Sequence, residues 1–234
     1  MKTLRKAARP LRAAVFLNGE YADDRAFYQQ LTRSVDLVVA ADGGAGKLVG
    51  FGEKPHVVVG DFDSLDPEVL ASLSAQGVRV VRHPVRKNET DAELAVAEAL
   101  AAGATSIAIA GALGGSFDHA WGNVAVLRSL AQRGVEAALV QPDLSVSVAV
   151  APRRVLLSAV PGVRFSCLPL TSRAVVSLRG FDYELDHTAL HAEACRGIGN
   201  TVARSGAEVV LHSGEALLVV EAVELPGGSA QGPS

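Results

Sequence analysis

The chain has 234 residues, 49% of them apolar and 20% charged, a balance ordinary for a soluble globular protein and enough for one large domain or two modest ones. Its formal charge of −3 and isoelectric point near 6.1 leave no electrostatic footprint for nucleic acid or an anionic membrane, so a phosphate group has to be met by local side chains. Cys167 and Cys195 stand far apart without C-x-x-C or Cys/His spacing, which suggests neither a disulfide framework nor a zinc site and fits a reducing cytoplasm.

The first residues carry Lys2, Arg5, Lys6, Arg9 and Arg12, and the apolar run that follows is only five residues long with no small-residue cleavage site. This reads as a frayed basic arm ahead of a strand, not as a secretion signal. No run approaches the ~18 apolar residues of a membrane span. Strands are expected at 13–17, 37–41, 57–59, 78–81, 106–110 and 137–140, with helices at about 24–31, 43–50, 67–76, 91–102 and 118–133. Such alternation predicts a parallel sheet with helices on both faces and ligands beyond the carboxyl ends of the strands. After about residue 142, short strands at 145–150, 155–159, 163–168, 174–178, 208–211 and 216–223 follow one another with turns between them and no long helix. The expected organisation is an α/β domain over 1–143, an all-β sandwich or barrel over 144–225, and a tail at 226–234 of disordered composition.

The most informative stretch is Val57-Val58-Val59-Gly60-Asp61-Phe62-Asp63-Ser64. A buried strand ends at a glycine and two carboxylates follow at i and i+2; if the backbone stays extended, Asp61 and Asp63 share one side and Phe62 takes the other. Hard carboxylate oxygens suit Mg²⁺, whose remaining positions are filled by water and substrate phosphates. An Asp-rich turn capping the next helix is the plainer reading, but Asp66 before Pro67 already serves as that cap. Asp42-Gly43-Gly44 stands where a strand turns into a helix; Asp42 there either accepts bonds from a ribose, holds a metal or caps a tight turn. Thr90 with Glu93 makes a capping box, with Asp91 at the first helical position. Arg82, Arg86 and Lys87 just before it either neutralise a polyphosphate or form a solvated loop. Gly111, Gly114 and Gly115 permit close backbone approach to a phosphate, and Asp118 and His119 open the next helix. Beyond them Trp121, Val124, Ala125, Leu127 and Leu130 read as a buried helix face. Both the P-loop pattern and the dinucleotide fingerprint are missing, which counts against ordinary nucleoside triphosphatases and NAD-linked oxidoreductases. The segments beginning at Gly180 and at Gly197 either line a small-molecule pocket or mark hairpin turns.

Taken in order, these pieces resemble the thiamine pyrophosphokinase family: residues 41–45, Gly60 to Ser64, Lys87 to Asp91 with Glu93, Gly111 to His119 with Asn123, and the segments at Gly180 and Gly197 to Asn200. The resemblance implies diphosphate transfer from ATP to the thiamine hydroxyl with release of AMP, and a homodimer with sites at the subunit interface. It further implies that Asp61, Asp63 and Asp91 hold Mg²⁺, and that Asp42 and the 111–115 loop contact the nucleotide. In the same reading Asp118 is expected to orient a metal-bound water or the acceptor hydroxyl, and the resemblance implies that Gly43, Gly44, Lys87, Thr90, Ser116, His119, Asn123, Gly199 and Asn200 complete the substrate-binding set. The chain departs from the family pattern at Asn88, Ser116 and Gly199, where the family usually has Asp, a basic residue and Ser. Two rivals are therefore kept: a diphosphokinase for another hydroxymethyl acceptor such as a pterin, and a nucleotide- or thiamine-binding homologue with weakened catalysis.

Overall fold

The computed structural model describes residues 10–85, 88–223 and 225–226. The expected arm at 1–9, Arg86 and Lys87 of the basic loop, and tail residues 227–234 lie outside them. The first part of the chain runs β1 (Leu11–Phe16), α1 (Arg25–Arg33), β2 (Leu37–Ala41), α2 (Gly44–Gly50), β3 (Val57–Gly60), α3 (Pro67–Ala75), β4 (Arg79–Arg82), α4 (Asp91–Ala101), β5 (Ala104–Ala110), α5 (Phe117–Gln132) and β6 (Glu136–Gln141). The remainder is β7 (Leu144–Val150), β8 (Arg153–Leu156), β9 (Arg164–Pro169), β10 (Arg173–Arg179), β11 (Leu185–His191), β12 (Asn200–Thr201), β13 (Glu208–Ser213) and β14 (Glu215–Val220).

The described residues form a ten-stranded sheet in the order β12-β9-β14-β7-β6-β5-β1-β2-β3-β4 and a four-stranded sheet in the order β11-β10-β13-β8. Strands β1 to β6 pair in parallel, and β6 meets β7 antiparallel, so the large sheet passes without a break into the all-β region. The parallel strands are apolar at nearly every position because both faces are covered. Val15, Val39, Val59 and Ile107 face α4 and α5, packing with Leu94, Val96, Val124 and Leu127. Their neighbours Phe16, Val38, Val58 and Ala108 face the other way, onto Tyr28, Leu31, Leu48 and Leu73 of α1, α2 and α3. In the all-β region, Phe165, Cys167 and Leu218 of the large sheet pack on Val176, Leu178, Val209 and Leu211 of the small one. Cys167 is buried, which pushes its thiol pKa up to about 12, and Cys195 is exposed; both are free.

Local signals set the helix starts. Thr90 Oγ1 accepts from the Glu93 N–H and Glu93 Oε2 accepts from the Thr90 N–H, closing the expected capping box, and Asp66 caps α3 with Pro67 at its first position. Four expectations need correction. Arg12 lies inside β1, not in the arm. The strand expected at 155–159 is Arg153–Leu156, because pairing with Glu208 to Leu211 of β13 sets its register. β11 is not among the expected strands, since it alternates poorly, and the segment from Gly197, read as a pocket lining or a hairpin turn, ends in the two-residue strand β12. Trp121 and Ala125 are exposed, Trp121 at 58%, because α5 begins beyond the strand ends and only its face through Val124, Leu127 and Leu130 reaches the sheet.

Candidate active site

From β1 the chain steps outward through β2, β3 and β4, then returns to β5 on the other side of β1. The strand order therefore reverses between β1 and β5, the position where open α/β sheets leave a crevice for ligands. The loops that leave those two strands interlock. A Cβ at Gly19 would lie 2.1 Å from the Gly111 carbonyl oxygen, and one at Gly111 would lie 2.4 Å from the Tyr21 hydroxyl. Tyr21 Oη donates to Leu17 O at 2.6 Å, and Asn123 Nδ2 donates to Ala112 O at 2.8 Å, which ties α5 to its own entry loop. Gly111, Gly114 and Gly115 all have positive φ, at 69°, 86° and 64°, a conformation that side chains other than glycine rarely adopt.

The acidic residues gather one and two strands away. Asp42 leaves β2 with φ 46° and is 3% exposed, its N–H donating to Val59 O at 2.9 Å. Gly43 and Gly44 permit this turn to sit deep: a Cβ on either would lie 2.4 Å from Asn18 Oδ1 or 2.3 Å from Phe16 O. Beyond β3 the backbone is not extended as expected. Phe62 has φ 66°, so the chain reverses there; its ring lies 4.8 Å beneath the Arg82 guanidinium, which also donates to Asp61 O at 3.2 Å. Arg82 thus anchors the loop. The turn still brings the carboxylates together, with Asp61 Oδ1 accepting from the Asp63 N–H at 3.3 Å and Asp63 Oδ1 from Ser64 Oγ at 2.9 Å. One carboxylate oxygen each from Asp42, Asp61 and Asp63 lies within 4.8 Å of the others.

Burial raises the Asp42 pKa; a Ser64 hydrogen bond works against this, and the charges of Asp91, Asp63 and Asp61 add to the rise. Asp42 Oδ1 is buried without a hydrogen-bond partner among the described residues. Three converging carboxylates with one orphaned oxygen are what a hard divalent cation satisfies, so these residues fit Mg²⁺. Asp42→Asn is expected to stabilise the metal-free chain by ~1 kcal/mol at neutral pH, since it removes a disfavoured buried charge and Asn tolerates the same φ. The sign follows from the raised pKa: the penalty on the ionised form is full above the folded pKa, fades as pH falls from there toward the unfolded pKa, and is gone below it. Thermal melts with and without Mg²⁺ check this; the variant should also lose the Mg²⁺-dependent rise in Tm shown by the parent.

The other predicted residues distribute as follows. Asp91 opens α4 close enough for its charge to act on Asp42, and Thr90 is spent on the capping box. Ser116, not Asp118, holds the N-cap position of α5. Its hydroxyl donates to Asp118, as does the His119 N–H at 2.9 Å, and the two bonds lower the pKa of this exposed carboxylate in that order. Lys87 lies outside the described residues. Gly199 has φ 77°, which explains a glycine there, and the Asn200 carboxamide holds both the N–H and the carbonyl of Tyr183. These two residues are not brought to the acidic cluster: β12 stands eight strands from β3 in the sheet, roughly 38 Å at ~4.8 Å per strand. Sequence reasoning missed Asn18 and Glu20 in the loop after β1. The signal available was that this loop flanks the point where the strand order reverses.

Fold and site together define an α/β protein with a cluster of carboxylates at the carboxyl ends of parallel strands. Residues 28–139 match the family model described as thiamin pyrophosphokinase, catalytic domain. This segment, just under half of the chain, is thus similar to the catalytic domain of the thiamin pyrophosphokinases. It is 34% identical over 122 residues to thiamine pyrophosphokinase 3 of Oryza sativa subsp. japonica, covering 43% of this chain and 46% of that protein. It is also 34% identical over 112 residues to thiamine pyrophosphokinase 1 of the same plant, covering 39% and 42%. The chain thus spans less than half the length of these curated relatives. Its fold is that of the thiamine pyrophosphokinase from Bacillus subtilis, with a TM-score of 0.78 at 22% identity over 91% of this chain and 100% of that one. The Candida albicans thiamin pyrophosphokinase gives 0.76 at 15% identity, over 92% and 90%. Among the described residues no helix is long and apolar enough to cross a membrane.

Proposed function

We propose that this chain transfers the diphosphate group of ATP to the hydroxyl of thiamine, giving thiamine diphosphate and AMP, as a cytoplasmic homodimer that uses Mg²⁺. The observation that carries the reading is the convergence of Asp42, Asp61 and Asp63, with Asp42 Oδ1 orphaned, inside a segment matching the family's catalytic domain. Asp42, Asp61 and Asp63 hold the cation, with Asp91 beside them. When bound, Mg²⁺ supplies charge neutralisation for the phosphates. The helix starts at Asp91 and Phe117 open toward the same edge and offer backbone N–H groups to anionic oxygens. Phosphoryl-type transfer proceeds through a loose transition state, so positioning and electrostatics dominate and a strong base is not required. Asp118, kept ionised by Ser116 and His119, orients the acceptor hydroxyl.

Residues 1–143 form the catalytic part and residues 144–225 the thiamine-binding part in this reading. The wide separation of Asn200 from Asp61 within one chain supports a site completed by a second copy, whose Gly199 and Asn200 approach the acidic crevice. Mixing two inactive variants, Asp61→Asn and Asn200→Ala, should then restore up to about one quarter of parental activity through hybrid dimers carrying one intact site, by binomial association. No recovery after verified subunit exchange removes the shared-site arrangement.

Incubation with ATP, Mg²⁺ and thiamine, with AMP and thiamine diphosphate both quantified, tests the reaction itself. Equal yields of the two, abolished by EDTA, are expected. AMP released only with a hydroxymethylpterin would move the acceptor, and nucleotide binding without AMP would mean a homologue that has lost catalysis.

A further inference from the structure

Glu20 has no task in the reading above, yet the fold gives it a specific seat. It leaves β1 at the reversal of strand order, and its side chain lies directly on the glycine loop that leaves β5. A Cβ at Gly114 would stand 2.6 Å from Glu20 Oε2 and 3.1 Å from its Cβ, and one at Gly115 would stand 3.7 Å from Oε1. The neighbouring approaches of Gly19 to Gly111 and of Gly111 to Tyr21 hold the two loops together, so the base of the Glu20 side chain is fixed beside the glycine loop and its carboxylate is within reach of it. No hydrogen bond or ion pair engages it among the described residues, and it is exposed.

An anionic, acceptor-only group here has two consequences. It makes the rim of the 111–115 loop beside Gly114 less favourable for a phosphate than for a neutral group that donates hydrogen bonds. It also offers two oxygens to a ligand that donates twice. We infer that Glu20 receives the ribose hydroxyls of the nucleotide donor and sets the preference for a ribonucleotide. This rests on the proposed use of ATP. With the ribose over β1 and β5, the phosphates run toward Asp42 and Asp61, which follow strands one and two places from β1, ~5–10 Å away. The nucleotide thus lies across the strand ends with its sugar on the glycine side and its charge on the cation side.

Binding of Mg·ATP and Mg·2′-deoxy-ATP to the full chain, measured by titration calorimetry for the parent, Glu20→Gln and Glu20→Ala, tests this without relying on turnover. The parent should bind ATP about 10-fold more tightly than 2′-deoxy-ATP, the size of one charge-assisted hydrogen bond. Glu20→Ala should bind both nucleotides with nearly equal affinity, weaker than the parent's for ATP and no tighter than the parent's for the deoxynucleotide, since the 3′-hydroxyl bond is lost as well, and Glu20→Gln should discriminate less than the parent. A parent that does not discriminate, or a Glu20→Ala variant that keeps the full preference, overturns the assignment. So does weakened thiamine binding in Glu20→Ala with ATP affinity unchanged, which would place the carboxylate against the acceptor. Ribose discrimination in a chain that makes no thiamine diphosphate would sink the proposed reaction and leave Glu20 where it is put here; a parent that binds neither nucleotide overturns both.

Discussion

Asp61→Asn and Asp63→Asn should each lower thiamine diphosphate formation at least ~100-fold, because a bound divalent cation contributes several kcal/mol to stabilising transferred phosphate charge and each substitution removes one of its anionic ligands. Structure limits the alternative explanation that the loop collapses. Asn keeps an oxygen that accepts from the Asp63 N–H or from Ser64 Oγ, and Phe62 remains clamped under Arg82. The melting temperature of both variants should therefore match or exceed the parent's, since a carboxylate is removed from a mutually repelling group. Asp66→Ala is the control from the same loop. It removes the α3 cap, whose Oδ1 accepts from the Glu68 N–H at 2.8 Å, and should cost ~1 kcal/mol of stability with turnover retained. Steady-state kinetics with a Mg²⁺ titration decides the matter: near-parental turnover in either Asp61→Asn or Asp63→Asn would remove the metal assignment, as would an equal loss in Asp66→Ala.

Gly111→Ala should destabilise the chain by ~2–3 kcal/mol and lower its Tm by roughly 5–10 °C. Two effects compete. Replacing glycine by alanine restricts the unfolded chain and commonly gains ~0.4–1 kcal/mol. Against this, φ of 69° costs a Cβ-bearing residue ~1–2 kcal/mol, and the new methyl would stand 2.4 Å from Tyr21 Oη and 2.7 Å from Leu17 O. Tyr21 has little room to move aside. Its ring packs against Phe16, Tyr28 and Phe51, and its burial keeps the phenol un-ionised, donating to Leu17 O. The clash therefore wins. Urea and thermal denaturation measure the stability loss, and the KM for ATP should rise as the two loops separate. An unchanged Tm would mean that the interlock of the β1 and β5 loops carries no weight, and with it would go the placement of Glu20.

What could be read from the chain follows from the range of each interaction. The helix starts at Asp66-Pro67 and Thr90–Glu93 were legible because a cap acts within three residues of itself. The doubly covered strands were legible because burial on both faces leaves runs such as Val57-Val58-Val59. β11 was not, since its pairing with β10 imposes strand geometry on a segment without clear alternation. Trp121 misled because helical periodicity reports a face but not where along the helix the sheet stops. Asp42 was left between a metal, a ribose and a cap, and the convergence with Asp61 and Asp63 that supports the proposed metal role depends on the turn at Phe62, which no local pattern records.

By itself, then, the amino-acid sequence determined the alternation of strands and helices, the start of each capped helix and the positions of the carboxylates at strand ends, all properties of neighbours within a few residues. Only the tertiary structure decided which ends lie side by side. Strand order places β5 against β1 and β2 against β3, so Glu20 meets Gly114 and Asp42 meets Asp61, while Asn200 is left at the far edge of the same sheet. Those juxtapositions arise from packing a whole sheet between two layers, where the free energy belongs to contacts between residues distant in the chain and no local pattern records it.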